Sequence, residues 1–273
     1  MDQVVVAGGG CVKSGRPDEG GERGTESASG SGASDHRSVS RALAGALEVS
    51  DAASVPARLC QVCVDLLDIT GASVSLDGGA SGESAVWWSS DPVAAQLAEA
   101  QYSLGDGPCT TARTLVAPVL AADLTGGTDA RRWPMFAQRA VELGVRAVFS
   151  LPLGSDAVAI GSLDLYRRGP GPLSPGDIAG AFTAGDAITL ALMRVQSQAE
   201  DTAARGGAEL TSWLDAAESG HEEVHYATGM LMVQLGVGPQ QALARLRAYA
   251  YAQGVTVTQA AREVLARRVE FDE

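Results

Sequence analysis

Two kinds of apolar pattern alternate between residues 40 and 197. Apolar residues at steps of three and four predict amphipathic helices in SRALAGALEV, VPARLCQVCVDLLDITGA, DPVAAQLAEAQYSLGDGPC, WPMFAQRAVELG and LSPGDIAGAFTAGDAITLALMRVQ. Alternating apolar residues predict strands in ASVSLD, VRAVFSLPLG and VAIGSLDLYRR, and SAVWWSS predicts a further strand after the turn GGASGE. Helices that flank a mostly antiparallel sheet form an α+β domain, and we predict one over residues 40–197.

The end of the chain, residues 219–273, carries explicit helix start and stop signals. Ser219 with Glu222, and Thr256 with Gln259, fit the capping-box pattern at the first and third helices. Pro239 suits the first turn of a second helix, which we expect to end before Gly254. Because the connecting loops have only a few residues, this segment predicts an all-α unit of three closely packed helices.

Two segments lack the apolar residues that a core requires. Residues 1–39 are rich in Gly, Ser and charge, so we predict a disordered N-terminal arm. Residues 198–218 contain Gly206-Gly207 and several acidic residues, and predict a linker between the two folded units. The order of domains is therefore arm, α+β domain, linker and three-helix domain.

The charge of the chain limits the partners it can bind. The 273 residues carry a formal net charge of −13, so bulk electrostatics does not favour a phosphate backbone and a nucleic acid must meet a local site. Residues 242–268 hold five Arg and one Glu, which makes the last helices locally positive. We find no signal peptide or membrane-spanning run in the sequence, and we expect a cytoplasmic protein with free thiols.

Several familiar motifs are only partly present. VVVAGGGCVKS lacks the third Gly of a dinucleotide fingerprint and the Gly before Lys of a P-loop. HEEVH, residues 221–225, fits the H-E-x-x-H of zinc proteases, but no third ligand follows at the required spacing. We therefore predict no catalytic residues, no metal and no cofactor, with His221 and His225 facing solvent at the first turn of a helix.

The cysteines leave two interpretations open. Cys60 and Cys63 lie one helical turn apart and suit either a redox pair or, as we favour, an apolar stripe of the core. Cys109 follows a Gly-rich turn and could face a ligand.

Residues 40–197 resemble a GAF domain, a sensor module, of the kind found in actinobacterial regulators. The resemblance rests on LGDGPC at 104–109, WPMF at 133–136, Gly144-Val145, LPL at 151–153 and GSLDL at 161–165. It implies a bound signal near Gly107, Cys109 and Trp133. No His occurs within 40–197, so an axial ligand for haem is missing and we expect a small molecule or a protein as the signal.

The C-terminal unit resembles the ANTAR domain, an RNA-binding antitermination module. ATGMLM at 227–232 carries this resemblance, together with Ala242, Leu246-Arg247, Ala250, Ala261 and Val264. It implies a homodimer that binds paired RNA hairpins in a nascent transcript. We assign the contacts to the following residues: Ala227, Thr228, Gly229, Arg245, Arg247, Tyr249, Ala261 and Arg262.

Two points remain open at this stage. The small residues at 227–229 either admit a close RNA backbone or simply let helices pack, and the tyrosines at 226, 249 and 251 either stack on unpaired bases or belong to the core. The alternative function is a DNA-binding regulator with a C-terminal helix-turn-helix. Its recognition helix, TQAAREVLARR, offers few polar side chains to read a duplex.

Overall fold

The computed structural model describes residues 41–45, 55–77, 84–155, 158–204, 221–269 and 271. The predicted arm, the turn at 78–83 and most of the predicted linker lie outside these ranges. Residues 41–45 are helical. The remaining elements of the N-terminal domain are α1 (Val55–Leu66), β1 (Gly71–Asp77), β2 (Ser84–Ser89), α2 (Pro92–Leu104), α3 (Pro108–Leu115), β3 (Val119–Ala121), α4 (Gly127–Arg132), α5 (Pro134–Glu142), β4 (Ala147–Ser155), β5 (Val158–Arg167) and α6 (Pro175–Ala204).

The strands form one antiparallel sheet in the order β2-β1-β5-β4-β3. The four strands predicted from the sequence are all present, and the short β3 adds an edge. Helices cover both faces of the sheet, which confirms the predicted α+β class. The helix α6 continues to Ala204, so it extends into the segment that the sequence assigned to the linker.

The two faces of the sheet differ in chemistry. One face presents Val74, Phe149 and Leu165 to α1 and α6, and forms an apolar core with them. The opposite face, toward α2 and α3, carries the buried polar side chains of Ser73, Ser75, Ser150, Ser162 and Asp164. Because successive side chains of a strand point to opposite faces, the same alternation produces both surfaces.

The C-terminal domain consists of α7 (Glu222–Leu235), α8 (Pro239–Gln253) and α9 (Val257–Leu265). Gly236 and Gly254 end the first two helices in the left-handed conformation, with φ of 64° and 66°. The capping box of Thr256 and Gln259 is present at α9. The first helix, however, begins after His221 as its N-cap, and Ser219 of the predicted capping box lies outside the described residues.

Candidate nucleic-acid interface and buried polar cluster

The three C-terminal helices enclose an apolar core to which each contributes. Leu231, Leu246 and Val264 are at most 2% exposed in this core. Three of the residues assigned to RNA lie in the same interior: Ala227 and Ala261 are fully buried, and Thr228 is 7% exposed. Their small side chains let the helices approach closely, which is the packing role that the sequence left open.

One face of α7 is open and apolar. Tyr226, Met230 and Val233 are exposed by 60%, 37% and 86%, and they recur at helical spacing around Gly229. A Cβ atom added to Gly229 would meet nothing within 4 Å. We call Tyr226, Gly229, Met230 and Val233 the α7 stripe; it is an exposed surface that a second molecule can approach closely at Gly229.

The assigned arginines on α8 and α9 lie in different environments. Arg245 is exposed on α8, whereas Arg247, two residues later, is half-buried on another side of that helix. The Nε atom of Arg262 donates to both carboxylate oxygens of Glu223, at 2.9 and 2.7 Å. This pair joins α9 to α7 at the surface, where an ion pair contributes little to stability.

Tyr249 is half-buried and packs against the core of the domain. Its hydroxyl donates to Oε2 of Glu263 at 2.9 Å, and its ring meets Phe271 edge to face with centroids 5.4 Å apart. Both contacts hold the ring against its own domain. Of the three tyrosines considered from the sequence, Tyr226 is the one that stands on the open α7 stripe.

Arg247 contacts the N-terminal domain. Its Nε atom donates to the backbone carbonyl of Tyr102 at 3.1 Å, and its guanidinium lies 5.6 Å from the centroid of the Tyr102 ring. The Tyr102 carbonyl also accepts the N–H of Gly105, which ends α2, at 3.2 Å, so Arg247 adds a second donor at this helix end. The Tyr102 ring in turn is 6% exposed and packs within the core of the C-terminal domain.

The C-terminal end of α2 also forms hydrogen bonds with the first turn of α9. Ser103 Oγ accepts a hydrogen bond from the backbone N–H of Val257 at 3.0 Å and donates to Glu99 Oε1 at 3.0 Å. Thr258 Oγ1 also donates to Glu99 Oε1, at 3.5 Å. We call the contacts of Glu99, Tyr102 and Ser103 with the C-terminal helices the interdomain interface.

His221 does not face solvent, so the prediction for this residue was wrong. It is 6% exposed, its ring centroid lies 3.6 Å from that of Tyr102, and its Nε2 atom is 3.4 Å from Glu99 Oε2. The sequence of α7 alone does not show that α2 of the N-terminal domain packs over the first turn of α7. Among the described residues, no group of three or more His, Cys, Asp and Glu side chains is placed to hold a metal ion.

A cavity of about 520 Å³ lies beside the interdomain interface. Gln96, Glu99 and Met135 line it from the N-terminal domain, and Tyr251 and Gln259 from the C-terminal domain. The Tyr251 hydroxyl is 3.5 Å from the Met135 sulfur. The two domains therefore meet along α2 and leave a groove next to that contact.

The buried polar face of the sheet forms a second candidate site. Asp164 lies directly opposite Ser73 and Ser150 on the two neighbouring strands. Ser150 donates a hydrogen bond to Asp164 Oδ1, and Ser162 donates to Oδ2 at 3.4 Å. Gln101 of α2 and Cys109 of α3 cover this row, and the Cys109 N–H donates to Gln101 Oε1 at 2.8 Å. We call these side chains the polar cluster.

Burial raises the pKa of Asp164 to about 6, although the Ser150 hydrogen bond and the charge of Arg113 lower it. The folded state therefore binds this proton more tightly than the unfolded state, whose Asp has the ordinary pKa of 3.8. The resulting stabilisation is fully present below pH 3.8 and is lost as the pH rises through 6. We expect Asp164→Asn to remove this dependence, so that between pH 4 and pH 7 the variant gains roughly 2 kcal/mol of stability relative to wild type.

Urea unfolding of both proteins between pH 4 and 7 checks the prediction. The amide keeps an acceptor for Ser150, and its NH2 group can donate to the Ser162 hydroxyl in place of the bond that Ser162 donates to Oδ2. Parallel pH profiles for the two proteins would contradict it.

The three residues that the GAF resemblance assigns to a ligand are close-packed. A Cβ atom at Gly107 would lie 2.7 Å from Gln101 Oε1, and Gly107 has a φ of 145° that few other residues adopt. Cys109 is 5% exposed beside the polar cluster. Trp133 is 2% exposed, and its Nε1 donates to Thr111 Oγ1 at 3.1 Å.

The thiols in the described part of the chain are buried and free. Burial raises the pKa of Cys60, of Cys63 to about 12, and of Cys109, where the charge of Asp164 adds to the effect. Thiols of this kind are poor nucleophiles. The location of Cys60 and Cys63 in the apolar core confirms the core interpretation.

Sequence reasoning missed Asp164 and Gln101 as site residues. A signal for Asp164 is present: it stands between Leu163 and Leu165 in the middle of an apolar strand, where an unpaired carboxylate is costly. Gln101 has no such signal, because a polar residue on an amphipathic helix usually faces water. The interdomain interface is not visible in any local pattern.

Comparison with protein families supports the resemblance of the C-terminal domain. Residues 214–265 match the family model of the ANTAR domain, so this domain is present at the C-terminus. A search of curated proteins found no match to this chain. In the part of the chain that the structure describes, no helix is both long and apolar enough to cross a bilayer.

The N-terminal domain is similar to solved structures of GAF domains. They include the GAF domain of a phosphoenolpyruvate-protein phosphotransferase from Coxiella burnetii, at 12% identity and a TM-score of 0.49, covering 62% of this chain and 98% of that one. A putative GAF sensor protein from Burkholderia vietnamiensis matches at 17% identity and a TM-score of 0.42, covering 60% of this chain and 94% of that one.

Proposed function

We propose that this chain is a signal-responsive regulator of transcription that binds RNA hairpins in nascent transcripts and favours antitermination. The match of residues 214–265 to the ANTAR domain carries the proposal, since it spans all three C-terminal helices. A regulator of this kind works in the cytoplasm, where transcripts are made, and requires no catalytic step. We further propose that its N-terminal GAF domain is of the kind found in actinobacterial regulators.

The α7 stripe suits the unpaired bases of a hairpin loop. Tyr226 presents an exposed ring, and the missing side chain at Gly229 lets a nucleotide come close to the helix. Recognition of RNA loops relies on stacking and shape more than on bulk charge, which fits a chain of net charge −13. Arg245 adds an exposed cation on α8 for the phosphates.

The polar cluster is the position that we assign to the signal in the N-terminal domain. Hydroxyl, amide and carboxyl groups meet there between the sheet and two helices, and such groups orient a small polar molecule by hydrogen bonds. The site is close-packed around Gly107 and Cys109, so a ligand enters only if α2 or α3 moves. Movement of α2 would reach the C-terminal domain.

A homodimer completes the proposal. Phe182, Leu190 and Met193 are 45%, 55% and 41% exposed along one side of α6, at steps of eight and three residues. An apolar helix face of this kind suits packing against a second copy of the chain. Two copies would present two C-terminal domains to paired hairpins.

The first experiment compares a hairpin RNA with duplex DNA of the same sequence by titration at fixed salt. We expect the chain to prefer the hairpin. Binding to duplex DNA alone would overturn the proposal in favour of a helix-turn-helix regulator. The salt concentration must match in both titrations, because phosphate contacts depend on it.

Substitution of Tyr226 tests the assigned surface. We expect Tyr226→Ala to weaken hairpin binding by about 1–3 kcal/mol, the usual contribution of one stacked base. Tyr226→Phe is the matched control: it keeps the ring and loses only the hydrogen bond to Glu222, at 3.0 Å. Equal binding by Tyr226→Ala and wild type would remove this residue from the RNA surface.

A further inference from the structure

The interdomain interface covers one side of α8 in the C-terminal domain. Ala244, Arg247, Ala248 and Tyr251 of α8 line a groove of about 370 Å³ against the end of α2 and Met135. Arg247 is one of the residues assigned to RNA, and here it binds the Tyr102 carbonyl instead. The N-terminal domain and an RNA phosphate would thus compete for the same guanidinium.

The interface is built from complementary groups and is not a loose surface contact. Tyr102 completes the apolar core of the C-terminal domain, and Ser103 accepts the N–H at the first turn of α9. A Cβ atom at Gly105 would lie 2.8 Å from Arg247 Nη1, so the chain after α2 fits closely around that side chain. These contacts hold the two domains in one arrangement.

The α2 helix links the interface to the polar cluster within a single turn. Gln101 is 1% exposed and its Oε1 accepts the Cys109 N–H on the sheet side of the helix. The next two residues, Tyr102 and Ser103, contact the C-terminal domain. Any ligand that draws Gln101 toward the polar cluster must also shift Tyr102 and Ser103, because they share one rigid turn.

We infer that the N-terminal domain restrains the C-terminal domain by docking it on the last turn of α2, so that Arg247 reaches RNA only after the two domains separate. The inference rests on the proposed function and adds its regulation: the signal acts by releasing the interdomain interface. Tyr226 and Arg245 stay exposed in the docked form, so docking weakens RNA binding without abolishing it.

The test uses the full chain with Glu99→Ala and Ser103→Ala combined. Both changes lie in α2, outside the C-terminal domain, and Ala suits a helix. They remove the acceptors for Val257 and Thr258 and leave the RNA-facing residues intact. The matched control is Gln96→Ala, an exposed residue of the same helix that lines the cavity beside the interface.

The first readout needs no RNA. Hydrogen exchange of the amides in the last turn of α2 and in the first turn of α9 should become faster in the double variant and stay unchanged in Gln96→Ala. The second readout is affinity for a hairpin RNA, which should rise about tenfold or more, since apparent affinity scales with the fraction of molecules in the competent state.

Arg247→Ala, made in two backgrounds, distinguishes the role of Arg247 in docking from its role in binding RNA. In the double variant we expect Arg247→Ala to lower hairpin affinity by about tenfold or more, as expected for loss of a charge-assisted contact. In the wild-type background the loss should be smaller, because the substitution also releases the domain.

The combination of exchange rates and hairpin affinities distinguishes failure of the restraint from failure of the proposed function. Faster exchange with unchanged affinity overturns the restraint and leaves the proposed function standing. Unchanged exchange shows that these contacts do not hold the domains together, which also overturns the inference. Failure of every variant to bind hairpin RNA overturns the proposed function and the inference with it.

Discussion

A tandem pair of hairpins is expected to bind the proposed dimer of this chain about 10²–10⁴ times more tightly than either hairpin alone. Each C-terminal domain has only three short helices and offers few groups to one loop, so a single contact should be weak. When two domains are joined in a dimer and two hairpins in one transcript, the second contact becomes intramolecular. The gain comes from effective concentration and needs no new interaction.

Leu190→Glu is the control variant for this experiment, because it should prevent dimerisation. It places a charge on the exposed apolar side of α6, where we assign the dimer contact, and leaves the C-terminal domain unchanged. We expect the variant to bind one hairpin as wild type does and to lose the advantage for the tandem RNA. Analytical ultracentrifugation should show that Leu190→Glu is a monomer. If wild type bound single and tandem RNA equally, the dimer part of the proposal would fail.

Leu246→Ala is expected to lower the free energy of unfolding of the C-terminal domain by about 2–5 kcal/mol. Leu246 is fully buried where α7, α8 and α9 meet, and truncation leaves a cavity that a small domain cannot fill. At about 0.05–0.15 kcal/mol per residue, a unit of this size holds only a few kcal/mol in total. Hairpin binding should be lost at temperatures that wild type tolerates.

The control for Leu246→Ala is Gln241→Ala, an exposed position on the same helix. Thermal unfolding followed by circular dichroism, with hairpin binding measured at each temperature, checks both variants. We expect the N-terminal domain to unfold in both as it does in wild type. A loss of stability below 1 kcal/mol in Leu246→Ala would mean that the three helices do not depend on the core described above.

Local chemistry explains what could be predicted from the sequence. Thr256 and Gln259 form the capping box of α9 because both partners lie within one turn, and Gly254 ends α8 through its own backbone freedom. Three of the four longer strands followed from alternation, and the strand at Ser84–Ser89 from its place after a glycine-rich turn. These features need no knowledge of the rest of the chain.

Residues that depend on distant contacts could not be placed in the same way. Ala227 and Thr228 are small enough to suit a surface or a helix contact, and only the assembled core shows that they face inward. Tyr102 and Arg247 are 145 positions apart, and no periodicity relates them. For His221 the local pattern suggested exposure, whereas α2 covers it from another domain.

The position of Tyr102 inside the C-terminal core has a consequence for biosynthesis. The ribosome completes the N-terminal domain first, so Tyr102 is already held on α2 when the last helices emerge. The last helices then pack around the Tyr102 side chain. Their assembly depends on contacts between residues far apart in the sequence, and such contacts form slowly. We therefore expect the N-terminal domain to act as a template on which the end of the chain folds.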